Sequence, residues 1–330
     1  MAPLAKDDSN TSSGLIIIDL SSPDLNKSAS LIRQSCVDSG FFYVINHGIS
    51  QELFDELFHE SRKFFELPLE EKMKVIRNQN FRGYTPLQHE MLDPSKQTKG
   101  DCKEGYYIGV EVAQDDPRAT KRFAGPNVWP SPDLLPGWRQ TMEKYHQEAL
   151  NVGRKVARLI ALALYLDASF FDKPKILEDP IALLRLLHYV DETSNPELGI
   201  YGAGAHSDFG LLTLLVTDEV SGLQICKNKD AQPQKWEDVH PLKGAIIVNI
   251  GDMLERWSNN IFRSTMHRVI LSGKERYSVA YFLEPGSECL VDCLPTCQSE
   301  TNPARHPPVI YGDYLAQRYK ETHSDISSSY

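Results

Sequence analysis

Two rhythms of apolar residues divide this chain. In the first half helical spacing dominates: a helix is predicted from about Asp24 to Ser39, stopped by Gly40, and a second follows Ser50, whose hydroxyl is placed to cap it. In that second helix Leu53, Leu57 and Phe64, beside Phe54, Phe58 and Phe65, share one stripe, so these aromatics belong to a core, and Pro68 ends the run. From about Leu134 to Tyr165 the positions Trp138, Met142, Tyr145, Val152, Val156, Leu159, Ile160 and Ala163 keep the same period over one long helix or two joined. Leu15–Leu20 and Phe41–Ile45, rich in β-branched and aromatic residues, read as strands.

After Pro180 the texture changes. Leu183–Tyr189, Leu211–Thr217, Gly222–Cys226, Ala245–Ile250 and Arg276–Glu284 are short apolar runs separated by Gly, Asp, Asn and Pro, the signature of strands joined by turns. Many short strands behind a helical first half predict an α+β protein with a mainly β core, a sandwich or jelly roll braced by helices rather than a parallel α/β sheet. Residues 1–14, rich in Ser, Asp and Thr, are expected to be disordered, and no linker divides residues 15–330, which are expected to form one domain.

Composition narrows the function. With 35 basic and 45 acidic residues the formal charge is -10, which repels polyphosphate, and no basic block offers a nucleic-acid footprint. The opening Met-Ala-Pro-Leu-Ala-Lys-Asp-Asp lacks the charge order of a signal peptide, and no stretch supplies the ~18 apolar residues of a membrane span. A cytoplasmic protein without membrane, nucleic-acid or obligate protein partners is expected. The six cysteines form no C-x-x-C pair and are expected to be reduced thiols; Cys289, Cys293 and Cys297 are spaced by four, with no fourth ligand in evidence.

The chemistry concentrates late in the chain. In Gly204-Ala205-His206-Ser207-Asp208 an imidazole and a carboxylate stand two apart, and on extended backbone residues i and i+2 share a face, so both can reach one ion. A second imidazole would complete three ligands suited to a borderline divalent metal, and His267 is the leading candidate. Arg276-Tyr277-Ser278 is another i, i+2 pair; a guanidinium fork and a hydroxyl at one end describe an anchor for a carboxylate. The remaining histidines lack a partner at ligand spacing; His47 is read as fixing a turn and Asp252 as a turn residue bonded to its own backbone.

Taken together, His206-x-Asp208, His267 and Arg276-x-Ser278, with Asp38-Ser39-Gly40-Phe41-Phe42-Tyr43-Val44-Ile45-Asn46-His47-Gly48-Ile49 near the start, resemble the plant-type 2-oxoglutarate/Fe(II) dioxygenases, the isopenicillin N synthase-like group that includes flavonoid, gibberellin and alkaloid oxygenases. The likeness covers nearly the whole chain, with an amino-terminal non-haem dioxygenase region at 15–130 and a jelly-roll core at 180–290. It implies a double-stranded β-helix, Fe(II) on His206, Asp208 and His267, and 2-oxoglutarate held by Arg276, Ser278 and Tyr189. It also implies O2 as oxidant, support by ascorbate, and oxidation of a small hydrophobic plant metabolite, by default hydroxylation, with release of succinate and CO2. Retention of Asp208 argues against a halogenase.

The chain departs from the family at Leu187-His188-Tyr189, where the common text is Asn-Tyr-Tyr: Leu187 replaces an amide, and His188, alternating with its neighbours, should face away from Tyr189. Alignment places Phe282 and Arg185 in the substrate pocket and Tyr106 and Tyr107 in a lid, the alternatives being a core position for Phe282, an internal ion pair for Arg185 and ordinary strand positions for the two tyrosines. The alternatives are an oxidase that works without 2-oxoglutarate, a silent small-ligand binder and a zinc hydrolase, the last leaving Arg276-x-Ser278 without a purpose.

Overall fold

The computed structural model describes residues 14–322; the expectation for residues 1–14 and that for His323 fall outside the described residues, Gly14 excepted. The helical half forms as its periodicity predicts. Helix α1 (Leu25–Asp38) is capped by the Asp24 carboxylate, which accepts from the Lys27 N–H, and α2 (Gln51–Phe65) by Ser50, which accepts from Leu53 N–H. A short α3 (Leu69–Met73) follows Pro68. The apolar stripe after Leu134 is one continuous helix, α4 (Trp138–Ala163); α5 (Asp252–Trp257) and α6 (Tyr311–Thr322) complete the set used below. His47 does fix a turn: its Nδ1 accepts from the Ile49 N–H at 3.1 Å while Nε2 donates to the Gly244 carbonyl at 3.1 Å.

The strands of the two main sheets are β1 (Ile17–Asp19), β2 (Phe41–Ile45), β3 (Gly83–Thr85), β4 (Lys103–Gly109), β5 (Ile181–Tyr189), β6 (Ala203–His206), β7 (Leu212–Thr217), β8 (Leu223–Cys226), β9 (Glu237–Asp238), β10 (Ile246–Ile250), β11 (Met266–Val269) and β12 (Arg276–Glu284), and Leu290–Val291 pairs with Val309–Ile310 in a separate two-stranded sheet. Eight form one sheet in the order β1-β2-β10-β7-β12-β5-β4-β3, and four form a second, β6-β11-β8-β9. In the large sheet all pairs are antiparallel except β1 with β2. This is the jelly roll, or double-stranded β-helix, that the strand pattern and the family resemblance predict.

Alternation decides what each face of the large sheet does. On β12, Tyr277, Val279, Tyr281 and Leu283 are buried in the main core with the apolar stripe of α4. The contact is close enough that a Cβ on Gly153 of α4 would come within 2.8 Å of Leu283 Cδ2. The alternate residues Arg276, Ser278, Ala280 and Phe282 face inward, toward the small sheet. They register in rows: Arg276 with Tyr189 and Lys103; Ser278 with Leu187 and Gly105; Ala280 with Arg185 and Tyr107; Phe282 with Leu183 and Gly109.

Candidate functional site

His206 ends β6 and His267 lies on β11, directly opposite it in the antiparallel ladder. Cross-strand neighbours on one face lie side by side, and the two ring centroids are 4.3 Å apart. Asp208, two residues past β6, brings Oδ1 to 3.9 Å from His206 Nε2 and 3.7 Å from His267 Nε2. Among the described residues this is the one group of three His, Cys, Asp or Glu side chains arranged to hold a metal, its ligand atoms all within 4.8 Å of one another. Cys289, Cys293 and Cys297 form no such group, and all six cysteines are free thiols.

The neighbours of these side chains fix which atoms face the shared space. His206 Nδ1 meets the Gly204 carbonyl at 2.8 Å and His267 Nδ1 the Thr265 carbonyl at 3.1 Å. A carbonyl only accepts, so each Nδ1 carries a proton, and in the neutral ring Nε2 is then the lone-pair atom. Asp208 Oδ2 accepts from Thr213 Oγ1 at 2.6 Å and Asn249 Nδ2 at 2.7 Å, leaving Oδ1 as the donor atom. Burial, reinforced by the neighbouring His267, holds the His206 imidazole well below its usual pKa; against the cost of burial, both imidazoles and the two hydrogen bonds keep Asp208 below its own. Two imidazoles that turn Nε2 to the shared space and a carboxylate that turns Oδ1 to it make a donor set that suits a borderline divalent cation and supplies one face of its coordination sphere. Thr213 and Asn249 were not foreseen, although each is a polar residue at an inward position between apolar neighbours.

At the far end of the inner face, Arg276 is 2% exposed and Ser278 1%. The guanidinium lies over the Tyr189 ring, 4.9 Å from its centroid, and its Nε donates to the Val220 carbonyl at 3.2 Å. The nearby Asp218 carboxylate accepts from the Val220 and Tyr277 N–H groups. Arg276 Nη1 and Ser278 Oγ, both buried, have no hydrogen-bond partner among the described residues. A buried donor left unmatched costs about 1–3 kcal/mol, so two at one spot mark a place built for an acceptor, and a carboxylate fits both.

Leu187, opposite Ser278, is buried in an apolar cluster with Tyr189, Cys102, Ala203, Val269 and Leu271, so the wall beside the anchor is hydrocarbon where the common family text has an amide. His188 faces away, as its alternation requires: Nδ1 meets Glu104 Oε1 at 2.8 Å, and the ring stacks on Tyr277.

The pocket expectations divide. Phe282 is inward and half-buried, in register with Thr213, which holds Asp208. Arg185 is inward too, but its guanidinium is paired with the buried Glu90 carboxylate and lies over the Tyr107 ring, making an internal ion pair rather than an open cationic contact. Tyr106 and Tyr107 form no lid, because β4 is a buried strand between β5 and β3. Tyr106 points into the helical core, edge-on to Phe64 and Trp138, with its hydroxyl donating to the Val128 carbonyl at 2.5 Å; Tyr107 is an inward wall residue, 3% exposed. Asp252 is not a self-bonded turn residue either. It opens α5 and accepts from Ser264 Oγ at 2.6 Å, Arg318 Nη1 at 2.6 Å and Ser207 Oγ at 3.2 Å, while its N–H donates to the Asp208 carbonyl at 2.7 Å.

Glu284 was also missed. It ends β12 on the inward face beneath Gly210, where a Cβ would come within 2.6 Å of its Cγ. Burial, with the negative charge of Asp208 adding to it, pushes this carboxyl up to about 8. A carboxyl raised in the folded state above its unfolded value favours folding fully below the unfolded pKa, and that contribution disappears as pH climbs through the folded value. Glu284→Gln is therefore expected to match the native protein in urea unfolding near pH 4.5 and to exceed it at pH 9; parallel stability curves for the two proteins would contradict this.

Residues 15–132 match the profile of the non-haem dioxygenase in morphine synthesis N-terminal family, and residues 181–285 that of the 2OG-Fe(II) oxygenase superfamily. Kihadalactone A synthase of Citrus sinensis is 50% identical over 93% of this chain and 92% of its own length; azadirone synthase of Melia azedarach is 50% identical over 92% and 91%. Among solved structures, a full-length Neurospora crassa protein in complex with alpha-KG superposes with a TM-score of 0.80 at 32% identity, covering 94% of this chain and 98% of that one.

Proposed function

The chain belongs to the 2-oxoglutarate/Fe(II) oxygenase superfamily, and from that membership we propose that His206, Asp208 and His267 hold its iron while Arg276, Ser278 and Tyr189 hold its co-substrate. The protein is an Fe(II)- and 2-oxoglutarate-dependent oxygenase that oxidises a small, largely hydrophobic plant metabolite, most simply by hydroxylation. The single observation that carries the site assignment is the pairing of an inward-facing His/Asp/His set with two unmatched buried donors on the inner face of the facing sheet.

When bound, iron and 2-oxoglutarate together activate O2, the co-substrate leaving as succinate and CO2. The protein's part is to bind, orient and exclude water. Asp208 brings the one negative charge to the metal; Thr213 and Asn249 stop its carboxylate from turning. Arg276 and Ser278 receive the far carboxylate of the co-substrate, Tyr189 lies under the guanidinium, and Leu187 keeps that end dry. The substrate is assigned to the inner face beside Phe282, on the rows that carry Tyr107 and Arg185 between the anchor and the metal ligands. Because Glu90 neutralises Arg185, this wall favours an uncharged, mostly apolar molecule, in the class of plant metabolites handled by synthases such as the two 50%-identical relatives.

Anaerobic protein reconstituted with Fe(II) should develop a weak visible charge-transfer band on addition of 2-oxoglutarate, and admission of O2 should yield slow succinate formation even without substrate. Iron binding with neither band nor succinate would reject the anchor assignment in favour of an oxidase or a silent binder.

A further inference from the structure

The second sheet holds both histidine ligands, yet its ladder fixes one of them loosely. Among the described residues strand β6 lies at an edge of that sheet, paired with β11 alone, and the register between them shifts between His267 and Val269. The opposite side of β6 is covered by the segment that leads into β4. There the Cys102 N–H donates to the Tyr201 carbonyl at 2.9 Å and the Thr98 N–H to the Gly199 carbonyl at 3.2 Å. Those two bonds fall just before β6; on β6 itself Asp101 Oδ1 accepts the Gly204 N–H at 2.9 Å. Gly204 is the residue whose carbonyl receives His206 Nδ1–H at 2.8 Å. The two segments touch so closely that a Cβ on Gly204 would lie 2.2 Å from Gln97 Oε1.

Asp101 is itself held on every side. It is completely buried; Oδ1 also accepts from Gln97 Nε2 at 2.8 Å, and Oδ2 is paired with the Lys103 ammonium. Lys103 reaches Glu90 Oε2 at 3.1 Å, and Glu90 pairs with Arg185. Two buried cations and two buried carboxylates thus form a neutral chain whose end grips the peptide beneath His206. A buried charge network of this kind is costly unless each member is satisfied, but once satisfied it is stiff.

We propose that Asp101 is a positioning residue for the iron site: it fixes the Gly204 backbone, and through it the rotation of the His206 imidazole that presents Nε2 to the metal. This rests on the reading of His206 as a ligand. Groups that orient a ligating histidine typically change metal affinity by about 10–100-fold when removed.

The test must separate this contact from the charge that Asp101 carries. Asp101→Asn with Lys103→Met removes one charge of each sign, leaves Glu90 with Arg185, and keeps an amide oxygen for the Gly204 N–H. Asp101→Ala with Lys103→Met is equally neutral and has no acceptor. In anaerobic titrations with Fe(II), and with Co(II) followed by its ligand-field absorption, the asparagine pair should bind within about threefold of the native protein and the alanine pair about 10–100-fold more weakly. Should the alanine pair not fold, Asp101→Leu with Lys103→Met, close to asparagine in shape and lacking an acceptor, carries the same expectation. Equal affinities in the asparagine and acceptor-less pairs, whether native-like or equally reduced, would overturn the proposal. Failure of the native protein itself to bind either metal would instead overturn the ligand assignment on which it rests, and the proposal with it.

Discussion

Asp208→Ala is expected to lower Fe(II) affinity by at least ~100-fold and to abolish succinate formation. The carboxylate is the only anionic member of the three-residue set, and its Oδ1 stands 3.7 and 3.9 Å from the two imidazole Nε2 atoms. Without it a divalent cation would meet two neutral rings in a largely buried site, with nothing to offset the cost of leaving water. The loss has a second component, since the Thr213 hydroxyl and Asn249 amide would be left without their acceptor. Anaerobic iron titration and a succinate assay measure both consequences, and native-like iron affinity in this variant would refute the metal assignment.

For Arg276→Ala the expected defect lies in the co-substrate and not in the metal. The charge-assisted hydrogen bond from the unmatched Nη1, at about 1.5–3 kcal/mol, predicts a loss of 2-oxoglutarate affinity of about 10–100-fold, with Fe(II) affinity unchanged. Ser278→Ala, which deletes a single hydroxyl donor, should cost about tenfold. The charge-transfer band titrated with 2-oxoglutarate reads these values directly. Unaltered affinity in Arg276→Ala would move the anchor elsewhere, whereas loss of iron as well would show that the variant had disturbed the fold.

Much of this architecture was legible because it is written in local periodicity. Strand β2 begins and ends with its run of aromatic and β-branched residues and β12 with its alternation, α1 and α2 follow their caps, and α4 follows its stripe. The same period of two placed His206 and Asp208 on one side and turned His188 away from Tyr189. At β4 a lid and an ordinary strand both stayed open, because Lys103-Glu104-Gly105-Tyr106-Tyr107-Ile108-Gly109 carries charges and glycines that suit a surface loop, yet every residue in it is buried. Its charges are matched by residues far off in sequence: Glu104 by Lys72 and His188, and Lys103 by Glu90 as well as its neighbour Asp101. No periodicity announces such partners, and for that reason the lid assigned to Tyr106 and Tyr107 was misplaced. Arg185 posed the same problem; an open contact and an internal pair differ only in where Glu90 comes to rest. Thr213 and Asn249 were nearer to hand, as polar interruptions at inward positions of β7 and β10.

The alternation along β12 also bears on how such a scaffold can change its trade. Tyr277, Val279, Tyr281 and Leu283 answer to the helices, while Ala280 and Phe282, one residue away in each case, look into the space assigned to substrate. Inheritance of stability and inheritance of specificity are thereby interleaved on one strand and written on opposite sides of it. A lineage can redraw the inward positions between the anchor and the metal and meet a new metabolite, with the wall that keeps the protein folded left untouched.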